Sequence, residues 1–304
     1  MSNALNYRPK TKLFNYFRKV FQLPFFEKQI RFFVNKKSPS SFLGKLVPNN
    51  YQYPPNTIRV YKMNGISLKV DISDYIGHYI YFGLENKELD LLFSMCKHDD
   101  VIIDVGANIG YTLMHFAKAV GEKGMVYGFE PDTLNYSKCL ENVQLNKFTN
   151  IKLFNIGLGN EKAEHKLFLD TPSNRGGNRI MPDELARGKD YCIIQVEKLD
   201  DWVAKNNPNK INLIKIDVEG YELNVLRGAV NTISKYHPVL FIEVNDNNLK
   251  QQGHSAPILL SFLENKGYKI TKAENGRKVS SSENFSNCHF DIICKFISIS
   301  EQKQ

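Results

Sequence analysis

The stretch Val101-Ile102-Ile103-Asp104-Val105-Gly106-Ala107-Asn108-Ile109-Gly110 reads as a buried strand that runs into a glycine-bearing turn and then a helix. A short, almost wholly apolar and β-branched run ending in glycine suits a strand covered on both faces. Glycine permits a tight turn and a close approach of backbone to ligand, and the first amides of the following helix have no partner inside it. The same alternation continues downstream. Strands are expected at 125–129, 151–156, 211–217 and 239–244, with helices from Ile109, Asp132, Tyr221 and Ala256. A hairpin-like excursion at 163–196 interrupts them. Two last strands, 268–271 and 289–296, are joined by a polar stretch with no room for a crossover helix, so they should be antiparallel. The expected fold class is therefore α/β: a doubly wound, Rossmann-like sheet, mostly parallel, with an antiparallel last strand.

On the other side of the opening stretch, residues 57–98 are expected to form a β-hairpin turning at Asn64-Gly65 and a helix over 87–97 that leads into the core. The catalytic domain is placed at 99–298. Residues 1–56 form a basic, aromatic arm followed by a Ser-, Pro- and Asn-rich linker at 38–56. In the arm, Leu13, Phe14, Phe17, Val20 and Phe21 fall at helical spacing, and Pro24 is expected to end that helix. Two readings of the stripe compete: an apolar face packed on the main domain, which is favoured by a modest margin, or an amphipathic segment lying on an anionic membrane.

Charge is distributed unevenly. The chain of 304 residues carries a net charge of +8, yet residues 1–50 hold ten Lys or Arg against the single acid Glu27, so everything beyond sums to about −1. A near-neutral catalytic region offers no basic field for gripping a nucleic-acid backbone. Five cysteines without a C-x-x-C pair suggest reduced core thiols, and the scattered histidines show no metal-ligand spacing. No apolar run approaches the ~20 residues needed to span a bilayer. The expected location is the cytoplasm, at the membrane surface if the arm binds lipid.

The loop chemistry points to an adenosine cofactor. Glu130, at the tip of the second strand and 20 residues after Gly110, can accept both hydroxyls of a ribose. The dinucleotide fingerprint requires G-x-G-x-x-G, whereas Gly106 and Gly110 frame G-x-x-x-G with Asn108 at the second glycine position, and no phosphate-loop pattern is present. S-adenosylmethionine carries no phosphate and tolerates a loop with one glycine fewer and an acid, Asp104, beside it. A nicotinamide-dependent oxidoreductase is the rival enzyme class, weakened by the missing glycine and the antiparallel sheet edge. A nucleic-acid methyltransferase is disfavoured by the charge distribution, and intact cofactor residues argue against a non-enzymatic scaffold.

The runs DVGANIGYT (104–112), GFEPD (128–132), INLIKIDVEGYELNVLRGA (211–229) and FIEV (241–244) resemble, in order and separation, the FkbM-type family of S-adenosylmethionine-dependent methyltransferases over roughly 80–296. The resemblance implies a seven-stranded class I methyltransferase sheet and O-methylation of a sugar, glycan or natural product, without naming one acceptor. It also brings forward Asn155, after the third strand, as the candidate adenine contact.

For the chemistry itself, period-two alternation places Lys215, Asp217 and Glu219 on one side of their strand, provided the strand extends that far. Glu243 ends the next strand. Carboxylates at the carboxyl edge of an open sheet suit a base acting on an acceptor hydroxyl. Their structural alternative is an ion pair between Lys215 and Asp217. Clustered carboxylates could also hold magnesium, although nothing in the sequence requires it. The loop 170–190, centred on Arg175-Gly176-Gly177-Asn178-Arg179, has the polarity of a segment that closes over an acceptor.

Overall fold

The computed structural model describes residues 9–297. The first eight residues of the arm and residue 298, the expected end of the catalytic domain, lie outside the described residues. The chain forms two compact units, one of residues 1–86 with 171–176, the other of residues 87–170 with 177–304.

The first unit begins with α1 (Pro9–Arg18), which tightens into a 3₁₀ turn, and α2 (Pro24–Val34). Pro24 starts a helix instead of ending one. The residue before a proline is pushed into extended geometry, and Leu23 adopts φ −68°, ψ 134°; Pro24 then takes the first helical position, where no amide is needed. The apolar stripe of α1 does not pack: Phe14 and Phe17 are 47% and 58% exposed. The buried face belongs instead to Glu27, Ile30 and Val34 of α2. The stretch 38–56, read as a linker, carries two 3₁₀ turns and buries Val47 and Tyr53. The hairpin β1 (Ile58–Met63) and β2 (Ile66–Asp71) turns where expected, with Asn64 and Gly65 both at positive φ, as a type I′ turn requires. α3 (Tyr75–Phe82), unsignalled by periodicity, starts on Asp74, whose carboxylate accepts from the amides of Ile76 and Gly77, and stops at left-handed Gly83.

The second unit opens with α4 (Lys87–Met95) and then alternates β3 (Val101–Val105), α5 (Tyr111–Val120), β4 (Met125–Phe129), α6 (Thr133–Gln144) and β5 (Ile151–Phe154). The excursion forms a small sheet of β6 (Gly157–Leu158), β7 (Ala163–Phe168), β8 (Arg179–Ile180) and β9 (Tyr191–Glu197), in the order β6-β9-β7-β8. Then follow α7 (Leu199–Asn206), β10 (Leu213–Ile216), α8 (Glu222–Arg227), α9 (Val230–Tyr236), β11 (Val239–Asn245), α10 (Asp246–Gln251), α11 (Ala256–Asn265), β12 (Tyr268–Lys272) and β13 (His289–Phe296). The main sheet has the order β12-β13-β11-β10-β3-β4-β5. All pairs from β11 to β5 are parallel, whereas β13 is antiparallel to both β11 and β12. The fold class expected from the sequence is the one observed. Ile103, Val105, Ile214, Ile216, Leu240 and Ile242 pack with Trp202 and Leu260 into one core, so the central strands are apolar on both faces and their ends are rigidly placed. Among the described residues all five cysteines are free thiols, and no helix is long and apolar enough to cross a membrane.

Candidate active site

The expected site residues converge where β3, β4, β10 and β11 end. On the cofactor side, the amides of Gly106 and Ala107 both donate to the Phe129 carbonyl at 3.0 Å. Asn108 takes a left-handed φ of 50°, which asparagine tolerates better than most residues. Its amide donates to Glu130 Oε2 at 2.7 Å, while Glu130 Oε1 accepts from the Asp132 amide at 2.9 Å. One carboxylate thus ties the loop after β3 to the loop after β4. Burial pushes the Glu130 carboxyl up to about 7, against the pull of those two backbone bonds.

The two glycines serve the protein more directly than the sequence suggested. A Cβ on Gly106 would lie 2.0 Å from the Asp217 carbonyl oxygen, and one on Gly110 2.8 Å from Cys139 Sγ. Their smallness lets β3 and α5 meet neighbouring backbone and helix. Asp104 lies inside the sheet, fully buried: Oδ2 accepts from the Thr112 hydroxyl at 2.6 Å, and Lys215 Nζ stands 3.6 Å from Oδ1. Asn155 sits beside Glu130, but its Nδ2 donates to the carbonyls of Glu130 and Pro131, holding the segment after β4 in place.

On the acceptor side, β10 ends at Ile216, so the alternation that was to carry Glu219 onto the face of Lys215 and Asp217 does not reach it. A turn replaces it, with Glu219 at φ 55° and Gly220 at φ 106°. The buried Glu222 carboxylate stabilises this turn by accepting from the amides of Val218 and Gly220 at 3.2 and 2.9 Å. The turn returns Glu219 to its partners: Asp217, Glu219 and Glu243 bring carboxylate oxygens within 4.8 Å of one another, close enough to share a cation. Such clusters are common without one.

Lys215 anchors the group, 3.1 Å from Asp217 and donating to the Gly106 carbonyl at 3.0 Å. Burial works against its charge, yet Asp217 and Asp104 outweigh that and hold its pKa above the ordinary lysine value. The ion pair foreseen as the structural alternative is therefore present, and it lies within the carboxylate cluster. Burial, then the neighbouring charges of Glu243 and Asp217, push Glu219 up to about 8. Burial and Asp217 also raise Glu243.

Four participants escaped the sequence reading. His289 donates to or accepts from Glu243 Oε1 at 2.8 Å, and that bond, against burial, lifts the imidazole to about 9. Asp291 pairs across the strands with Glu243, and burial followed by Asp217 and Glu243 pushes it up to about 7. Asn248 donates to Glu219 Oε2 at 2.9 Å and accepts from Arg179 Nη1 at 3.0 Å. Arg179 and its neighbour Asn178 belong to the polar loop singled out earlier, and Asn178 donates to Asp132 at 2.6 Å. The loop thereby touches both the cofactor side and the carboxylate side.

A model of the methyltransferase FkbM domain matches residues 104–270, more than half of the chain. The chain is similar to the 2-O-methyltransferase NoeI of Sinorhizobium fredii, 26% identical over 168 residues covering 50% of this chain and 66% of that protein. It is also similar to the hexuronic acid methyltransferase AglP of Haloferax volcanii, 30% identical over 156 residues covering 51% and 61%. It thus spans just under two thirds of the length of these relatives. Among solved structures, methyltransferase FkbM from Methylobacillus flagellatus shares 21% identity over 64% of this chain and 43% of its own, with a TM-score of 0.39. The matched region begins at the buried Asp104 of the glycine loop and takes in Glu130, Asp217, Glu219 and Glu243, and on that match the chain belongs to the FkbM-domain methyltransferases.

Proposed function

We propose that this chain transfers the methyl group of S-adenosylmethionine to a hydroxyl oxygen of a sugar, glycan or natural product. The observation that carries the reading is a cluster of carboxylates with raised pKa values beside a glycine loop tied to Glu130. The residues fit the cofactor: each Glu130 oxygen spends one lone pair on a backbone amide and keeps another for a ribose hydroxyl. Asn108 crowds the position where a pyrophosphate would need glycine.

S-adenosylmethionine, when bound, supplies an electrophilic methyl group whose departing sulfur becomes a neutral thioether, so the leaving group needs no acid. The acceptor oxygen must be aligned in line with the carbon–sulfur bond and must lose its proton as the new carbon–oxygen bond forms. In this reading Asp217, Glu219 and Glu243 hold the acceptor hydroxyl and take that proton. Asn248, through its bond to Glu219 Oε2, is a positioning residue, and Arg179 in turn fixes Asn248.

The pH dependence follows from the direction of the Glu219 shift. A carboxyl raised to about 8 holds its own proton below that pH and cannot accept another. kcat/KM is therefore expected to rise about tenfold per pH unit up to about 8 and then level, and this rise should be lost in Glu219→Gln. A profile flat from pH 6 to 9 would remove Glu219 as the base. Turnover is also expected to survive EDTA; loss that magnesium restores would assign the carboxylates to a cation instead.

The reading as a whole is tested by thermal shift with S-adenosylhomocysteine beside NADH. Stabilisation by NADH alone would overturn it. The finer proposal is that the acceptor is met at an anionic membrane surface, through the N-terminal unit.

A further inference from the structure

The N-terminal unit carries an amphipathic surface that methyl transfer does not use. At about 100° per residue, Phe25, Phe26, Phe32 and Phe33 fall on the arc of α2 opposite the buried Glu27, Ile30 and Val34. Phe25 and Phe32 are 68% and 76% exposed, and Phe42 is 77% exposed. Phe25 and Phe26 lie edge to face at 5.4 Å, and Phe32 and Phe33 at 5.5 Å, so the rings form adjacent pairs. Soluble proteins rarely leave so much contiguous apolar area in water without a partner for it.

The charges say which partner. Glu27, the only acid in residues 1–50, is turned inward: its carboxylate takes both Arg59 Nε at 2.7 Å and the Tyr81 hydroxyl at 2.9 Å. Arg31 is also engaged, its guanidinium 4.6 Å from the Tyr81 ring centre. What remains in water beside the phenylalanines is cationic, with Lys19, Lys28, Lys36 and Lys37 all exposed. A surface with rings to insert, ammonium groups around them and its single carboxylate withdrawn complements a plane that is apolar below and anionic above.

We propose that this surface of the N-terminal unit, centred on the phenylalanine face of α2, docks on an anionic lipid bilayer. The phenylalanines enter the boundary between headgroups and acyl chains, and the lysines lie among the headgroups. This deepens the functional reading by naming the surface at which the enzyme meets its acceptor, and it stands whatever that acceptor is.

The test is flotation of the full chain with vesicles of phosphatidylcholine alone and of phosphatidylcholine with phosphatidylglycerol. Binding is expected only to the anionic vesicles and should weaken with salt. K19Q/K28Q/K36Q should bind about 100-fold more weakly, at about fivefold per cation. F25S/F32S should lose about tenfold for each ring. All four positions exchanged outside the lysine triplet and within it are exposed, so melting temperatures should hold, which separates lost docking from lost folding. Absence of vesicle binding, equal binding to both vesicles, or a lysine-dependent affinity for an oligonucleotide in place of vesicles would overturn the proposal. S-adenosylhomocysteine binding measured on the same preparations keeps the two readings apart: either can fail while the other persists.

Discussion

Glu219→Gln and Asp217→Asn are expected to slow turnover by about 100- to 10,000-fold, the range for losing a general base, while S-adenosylhomocysteine affinity stays within about threefold of wild type, under 1 kcal/mol. The structure makes Glu219→Gln the cleaner of the two. Glutamine retains a carbonyl oxygen to accept from Asn248 Nδ2, so the side chain can keep its position while losing its capacity to take a proton. Asp217→Asn also removes the partner 3.1 Å from the buried Lys215, leaving Asp104 at 3.6 Å to compensate its charge alone. Its loss of rate should therefore come with a lower melting temperature. Single-turnover kinetics and calorimetry check both. Wild-type turnover in Glu219→Gln would make the carboxylate cluster a structural feature of the strand ends.

The second large effect is expected at Glu130. Glu130→Ala should weaken S-adenosylhomocysteine binding by about 100-fold or more, because two hydrogen bonds to a charged group contribute about 1.5 to 3 kcal/mol each. The same substitution strips the amides of Asn108 and Asp132 of their acceptor. Leaving buried donors unpaired costs about 1 to 3 kcal/mol apiece, so the apo protein should also melt earlier. Comparison with Glu130→Gln, which preserves shape and one acceptor, separates the ligand contact from the loop scaffold. Gly106→Val is a different case: with φ at 82° and a Cβ 2.0 Å from the Asp217 carbonyl, the variant is expected to fail in folding before it fails in binding. Calorimetry that returned wild-type affinity for Glu130→Ala would remove Glu130 from the cofactor site.

Much of this architecture was legible before any coordinates. The apolar run 101–105, its glycine turn, the repeated strand–helix alternation and the short polar link between 271 and 289 led to a doubly wound sheet with an antiparallel last strand, and Asn64-Gly65 marked its hairpin. These are local signals: hydrophobic periodicity, turn chemistry and connection length act over a few residues and survive in any tertiary setting. The short helices α3, α7 and α10 were missed because six to eight residues give too little periodicity to stand out. Pro24 was misread because a proline after a helical pattern can equally open the next helix.

The site divides along the same line. Sequence spacing alone brought forward Asp104, Glu130, Asp217, Glu219 and Glu243, since each stands at or near the end of a recognisable strand. Only the tertiary structure decided what each one faces. Asp104 is turned into the core towards Lys215, and Glu219 reaches its partners through a left-handed turn in place of strand alternation. His289 and Asp291 join Glu243 because β13 inserts antiparallel beside β11, pairing Glu243 with Asp291 across 48 residues of chain. The phenylalanines at 14 and 17 stay in water because Ile30 and Val34 already supply the buried face of the arm. Periodicity determines which residues share a face of one element; which faces then meet depends on strand order and register, set by the packing of the whole core.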